Sequence, residues 1–285
     1  MANSELTGIV WLASYPKSGN TWVRSFLNNL HAVMENGLDI EPQDINKLQR
    51  LTAWDIGAAQ YQHFLEKPVA ECTAAEIDAV RAKVQRAVAA NNTGVLLVKT
   101  HNALIKSNGH PTINFSVTAG AVYIVRNPLD VAISFSHHIG QSIDDTIRIM
   151  STPGHRPNNS IKTVGEVYGS WSENVESWTK SEHPAMMTLR YEDMHADPEK
   201  SFGALTTHLR QFPSKKELGK AIELSSFKSL QNLEETSGFT EKPKNLEKFF
   251  GSGKTGQWEH ELTEQQVATI RVVHGRQMKK FGYEV

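Results

Sequence analysis

The segment WLASYPKSGNTWVRSFLNNL, residues 11–30, restricts the possible folds more than any other stretch of the chain. An apolar run stops at Ser14, and Pro16, Lys17, Ser18, Gly19, Asn20 and Thr21 follow. Val23, Phe26, Leu27, Leu30, Val33 and Met34 then recur at helical spacing. This pattern predicts a buried strand, a tight loop and a helix that begins at once. A helix N-terminus offers backbone N–H groups and a partial positive charge. Gly19 lets backbone approach an anion, Ser18, Asn20 and Thr21 add short donors, and Lys17 adds a full charge. The layout is a P-loop-like cradle for a phosphate-type group. Trp22, next along, offers an aromatic face suited to a base. A capped helix beside a solvated lysine is the plainer reading of the same residues. The loop is not the triphosphate motif G-x-x-x-x-G-K-[ST], because Lys17 precedes Gly19 instead of directly following a glycine.

Further apolar runs at 94–99, 121–126 and 185–191 predict three more buried strands after the one at 8–15. Helices are predicted at 73–90, at 164–178 and at 262–281, with two or three more between the fourth strand and the last helix. Another starts at Asn127 as N-cap with Pro128 in the first helical position. Strands separated by helices define the expected class. It is an α/β fold with a mostly parallel central sheet, helices on both faces, and one domain over 1–285. Residues 141–162 and 236–257 lack clear periodicity and are expected to be mobile loops or lids. In open α/β sheets ligands bind at the carboxyl ends of strands. Lys17, Lys99 to His101, Arg126 and Tyr191 follow the four predicted strands in turn.

Composition narrows the function. Apolar residues make up 39 % and charged residues 21 %, which supports a packed core over disorder. The formal net charge of -1 argues against a nucleic-acid partner. A single cysteine, Cys72, makes neither an internal disulfide nor a zinc site. The opening MANSELTG lacks the basic-then-apolar pattern of a signal peptide. No run approaches the roughly 18 apolar residues of a membrane span. The expectation is a cytoplasmic protein with no membrane partner.

Other segments carry chemistry. In VKTHN, Lys99 and His101 sit at a strand end, where a histidine is suited to general-base work and a lysine charge favours its neutral form. A surface histidine at a loop start is the alternative. In YIVRNPLDVAISFSHH, Arg126 is suited to grip a phosphate and Ser134 adds a hydroxyl; Arg126 pairing with Asp130 is the competing reading. FFGSGKTGQWEH, with Lys254 and Gly256, is either a second anion loop or a flexible linker.

Taken in order from Trp11 to about Glu259, these segments resemble the cytosolic-type sulfotransferase family, which uses 3′-phosphoadenosine 5′-phosphosulfate (PAPS) and releases the bisphosphate PAP. SYPKSGNTW is similar to the family's 5′-phosphosulfate loop, KTH to its catalytic Lys-Thr-His, and YIVRNPLDVAISFSHH to its 3′-phosphate motif. RYEDMHADPEKSF with Tyr191, SSFKSL with Phe227, and GKTGQW with Gly256 resemble further family segments. The resemblance implies sulfuryl transfer to a hydroxyl or amine of a small molecule, in the manner of a bacterial member, with no metal. It implies His101 as base, with Lys17 and Lys99 stabilising charge. Ser18, Gly19, Asn20, Thr21 and Trp22 would hold the 5′ end and base, and Phe227 would stack on adenine. Arg126, Ser134 and Lys254 would hold the 3′-phosphate. Two departures stand out. Asn20 replaces a common threonine, and Gly251 and Ser252 stand where the family places Arg-Lys, leaving Lys254 or Lys248 to supply charge. Monomer and homodimer both remain open. Two other classes compete: a kinase, which calls for a lysine after glycine and a Mg²⁺-holding aspartate, and a sensor that binds an adenine bisphosphate without turnover.

Overall fold

The computed structural model describes residues 7–251 and 253–283. In chain order the elements are β1 (Gly8–Ser14), α1 (Asn20–Asn36), β2 (Thr52–Trp54), α2 (Ala58–Gln62), α3 (Ala74–Ala90), β3 (Val95–Thr100), β4 (Lys106–Ser107), β5 (His110–Pro111) and β6 (Thr118–Val125). They continue with α4 (Pro128–Ile139), α5 (Ile143–Ser151), α6 (Trp171–Thr179), β7 (Met186–Arg190), α7 (Tyr191–Ala196), α8 (Pro198–His208), α9 (Lys215–Leu224), α10 (Phe227–Ser237), α11 (Trp258–Glu261) and α12 (Glu264–Lys280). The mostly parallel central sheet has five strands in the order β2-β3-β1-β6-β7. The expected α/β class is observed. β2 and the β4–β5 hairpin were not anticipated, because strands of three and two residues are too short to show a period.

One expected helix needs correction. The 164–178 segment is helical only from Trp171. Gly169 has φ 66, in the left-handed region. Ser170 then caps the helix and Glu173 reaches back to the cap backbone, a capping box. Between β7 and α12 the chain forms α7 to α10 and the short α11, more helices than expected. The 141–162 segment contains α5.

The chain forms two compact units. The first comprises residues up to Pro16, Thr52–Tyr123 and Ile149–Thr188. Its core includes Trp11, Tyr15, Val98, Trp171 and Val175, all buried, and Trp11 Nε1 donates to Thr118 Oγ1 at 2.9 Å. It also buries charge. Arg81 donates to the Tyr61 hydroxyl and the Gly165 carbonyl, both at 3.0 Å, and Gln85 donates to Asp55 at 2.8 Å. Tyr61 and Trp171 are fully buried in this core.

The second unit comprises Lys17–Leu51, Ile124–Arg148 and the chain from Leu189 onward. Here α1 packs on α9, and Phe26 stacks on Phe202 with ring centroids 4.1 Å apart. Fully buried Arg24 makes a two-pronged ion pair with Glu241, both contacts at 2.9 Å. Such a fork matches carboxylate geometry and is the stronger form of ion pair.

Candidate active site

In the first unit, strand register positions the candidate base. Pairing of β1 with β3 ends at Ala13 opposite Thr100, so Ser14 and His101 leave the sheet side by side. His101 Nδ1 lies 2.8 Å from the Ser14 carbonyl oxygen and 3.2 Å from Ser14 Oγ. A carbonyl only accepts, so Nδ1 carries the ring proton and the basic lone pair belongs to Nε2. The His101 N–H donates to Glu166 Oε1 at 2.5 Å, and Asn174 Nδ2 donates to the His101 carbonyl at 3.0 Å. Tyr168 packs edge-on against His101 with centroids 6.1 Å apart. Burial, reinforced by the Glu166 charge, pushes the Tyr168 phenol well up, and burial pushes the His155 imidazole down. Both rings beside this site are therefore neutral at pH 7. On the other side of the register, Trp54 pairs with Lys99, and the Lys99 ammonium lies 5.7 Å from the indole ring centre. Cation–π contact of this kind holds an ammonium without neutralising it.

In the second unit, the loop after β1 takes an unusual backbone. Lys17 has φ 66 and Gly19 φ 103. A Cβ on Gly19 would meet the Tyr191 ring at 2.6 Å, so both conformation and space require glycine. Gly19 is the N-cap of α1, and no side chain caps that end. Ser18, Asn20 and Trp22 are buried. Trp22 sits in a ring cluster with Tyr191, His195, Phe202 and Phe227, at centroid distances from 4.8 to 6.3 Å. The Lys17 ammonium lies over Phe249 at 4.0 Å.

Arg126 follows β6 and is buried. Its Nη1 donates to the Lys17 carbonyl at 3.1 Å, its Nη2 to the Lys254 carbonyl at 3.3 Å, and its guanidinium lies 4.2 Å from the Tyr191 ring centre. The competing partner, Asp130, is engaged elsewhere, accepting from the backbone N–H of Gly256 at 2.9 Å and of Trp258 at 3.2 Å. The Tyr191 hydroxyl donates to the Gly253 carbonyl at 3.0 Å. Gly253, at φ 63, lies so close to Phe227 that a Cβ would meet the ring at 2.4 Å. Burial, the Arg126 charge second, lowers the His195 imidazole, while a bond to Gly253 opposes both.

The second unit thus brings Lys17, Ser18, Gly19, Asn20, Thr21, Trp22, Arg126, Tyr191, Phe227, Lys254 and Gly256 into neighbouring loops and helix starts. Ser134 lies in α4, half-buried. The Lys254 side chain is exposed. Lys248 is paired with Glu235 at 2.8 Å and is not part of the group. Ser252, one of the two positions where the family places Arg-Lys, lies outside the described residues. Sequence reading missed Ser14, Glu166, Asn174, His195 and Phe249. These are common residue types whose placement needs the fold.

Two donors test the fit to an anionic nucleotide. Ser18 Oγ and Arg126 Nε are buried with no hydrogen-bond partner among the described residues. Buried polar atoms ordinarily have partners. Both belong to the residues expected to hold phosphate groups, and the uncapped start of α1 adds backbone N–H groups. The donor set suits an anion rich in acceptor oxygens.

The chain belongs to the sulfotransferase family, matching its Sulfotransferase domain over residues 8–282. Among its relatives, Sulfotransferase 1B1 of Canis lupus familiaris is 26% identical over 274 residues, covering 94% of this chain and 82% of the relative. Sulfotransferase 1E1 of Homo sapiens is 27% identical over 260 residues, covering 88% and 77%. Solved structures share the fold. Retinol dehydratase in a complex with retinol and PAP matches at TM-score 0.64 with 20% identity, over 97% of this chain and 83% of that one. Mouse sulfotransferase SULT7A1 complexed with PAP matches at TM-score 0.61 with 19% identity, over 98% and 91%. Among the described residues no helix is long and apolar enough to cross a membrane.

Proposed function

We propose that this sulfotransferase moves a sulfuryl group from PAPS to a hydroxyl or amine of a small-molecule acceptor, with His101 as general base. The observation that carries this reading is the Nδ1 contact of His101 with the Ser14 carbonyl, which leaves the basic lone pair on Nε2 and so supports a general-base role. Known structures of this fold hold PAP, one of them with retinol, which supports a bisphosphate nucleotide and a small acceptor.

Bound PAPS supplies the sulfuryl group. His101 Nε2 takes the acceptor's proton, which makes the acceptor oxygen or nitrogen nucleophilic as it attacks. The Lys17 ammonium counters the charge that grows on the leaving phosphate oxygen, and Lys99 counters charge on the transferred group. Ser18, Asn20, Thr21 and the start of α1 hold the 5′ end. Trp22 and Phe227 serve the base, Tyr191 braces the loop around Gly253, and Arg126 with Ser134 and Lys254 serves the 3′-phosphate. We assign these roles to one catalytic domain acting in the cytoplasm, as monomer or homodimer.

The test is an acceptor screen with labelled PAPS across phenols, alcohols and amines, beside calorimetry with PAPS, PAP and ATP-Mg²⁺. The expected result is binding of PAPS and PAP, weak ATP binding, and transfer to at least one acceptor class. Binding without transfer to any class would replace the enzyme with a bisphosphate sensor. Tight ATP-Mg²⁺ binding without PAP binding would point to a kinase.

A further inference from the structure

We propose that Glu166 is a positioning residue for sulfuryl transfer: its carboxylate holds the backbone of His101 so that the ring keeps its aim. This inference rests on His101 being the base. The β1–β3 ladder ends at Thr100, so the sheet does not supply the next N–H, that of His101, with an acceptor. Glu166 Oε1 supplies it at 2.5 Å and also lies 3.4 Å from Thr100 Oγ1. Glu166 is only 4 % exposed, and a buried carboxylate is costly unless well partnered. Its own backbone is fixed on both sides. The Gly165 carbonyl accepts from Arg81 and Arg156, each at 3.0 Å, and the Val167 N–H donates to Asn102 Oδ1 at 2.7 Å. The carboxylate therefore works from a rigid base. With Asn174 on the His101 carbonyl and Ser14 on Nδ1, three separate groups fix one catalytic residue.

What matters in this role is the reach of the acceptor oxygen, and the charge matters less. Glu166→Gln keeps an oxygen at the same reach; Glu166→Asp keeps the charge and withdraws the oxygen by one methylene. A displacement of about 1 Å at a catalytic group costs about 10²-fold in rate. Glu166→Asp is expected to lose about 10²-fold in kcat with KM for PAPS and calorimetric PAP binding unchanged. Glu166→Gln is expected to stay within about threefold of the unsubstituted enzyme. A purely electrostatic or structural role reverses that order or lowers the melting temperature of both variants. Either outcome, or full activity in both, overturns the proposal. The His101 amide proton is expected farther downfield in the NMR spectrum of the unsubstituted protein than in Glu166→Asp, as a bond to the Glu166 carboxylate requires; the same shift in both overturns the proposal. His101→Ala run in parallel separates the two readings. Turnover surviving in His101→Ala removes the general base itself, whereas its loss there with no loss in Glu166→Asp removes only the role of Glu166.

Discussion

The surroundings of His101 and the loop that starts at Lys17 solve opposite problems. His101 is over-determined. Its ring, its N–H and its C=O each have a named partner, in Ser14, Glu166 and Asn174. The loop region holds two buried donors that lack protein acceptors among the described residues. α1 starts on an uncapped left-handed glycine, and Ser18 Oγ and Arg126 Nε are buried without protein acceptors among the described residues. The proposed base has to aim one lone pair, so rigidity serves it. The proposed anion site has to offer many donors at once, so unsatisfied hydrogen-bonding capacity serves it. The first arrangement stabilises the fold, and the second costs stability that ligand binding would return.

The contrast can be broken by experiment. The largest effect is expected for His101→Ala, with turnover down by about 10²- to 10⁴-fold and PAP binding intact by calorimetry. Loss of both together would mean that the base and the anion site are not separable functions. Next is Arg126→Ala. A hydrogen bond to a charged group contributes about 1.5–3 kcal/mol, so PAP affinity is expected to fall by about 10- to 100-fold. Calorimetry with adenosine 5′-phosphosulfate, which lacks the 3′-phosphate, is expected to show a much smaller change; equal losses for both nucleotides would detach Arg126 from the 3′ end. Gly19→Ala comes third. Its positive φ and the Tyr191 contact are expected to cost about 1–3 kcal/mol in urea unfolding and to weaken PAP binding as well. Unchanged affinity would mean that the loop tolerates a different backbone.

The smallest effects concern pH, and the two units respond with opposite sign. In the second unit burial lowers His274 to about 4. The folded state then refuses a proton that the unfolded state takes up below about 6.5. Its contribution is complete above that pH and is lost as pH falls toward 4, by about 2 kcal/mol between pH 7 and 5. In the first unit burial raises Asp55 to about 6. There the folded state takes the proton first, so falling pH relieves strain and adds about 1 kcal/mol over the same interval. Urea unfolding at pH 7 and 5 is expected to show a steeper acid loss in Asp55→Asn and a shallower one in His274→Asn. Parallel pH slopes in the two variants would show that neither group controls acid sensitivity.

Much of this was legible before any coordinates. The strand–loop–helix at 8–36 is announced by an apolar run, a Lys-Ser-Gly turn and helical spacing, all local signals. Asn127 with Pro128 marks a helix start by chemistry that sits within a few residues. The helix at Trp171 was misplaced although its signal was local too, in the Ser170–Glu173 capping box, because the apolar spacing upstream of Gly169 imitates a helix.

Local order of residues therefore determined the class of fold and the strand–loop–helix that carries the proposed anion site, since strand period, helix period and cap chemistry act over a few residues. Tertiary structure alone decided which proton His101 carries, because that depends on the carbonyl of Ser14, brought alongside by the pairing of β1 with β3. It alone decided that Glu166 reaches the His101 backbone, that Asp130 serves Gly256 and Trp258 in place of Arg126, and that Phe249 lies over Lys17. Each of these joins residues far apart in the chain through groups whose types are commonplace. Only the sheet register and the packing of the helices bring them within hydrogen-bonding or ring-contact distance.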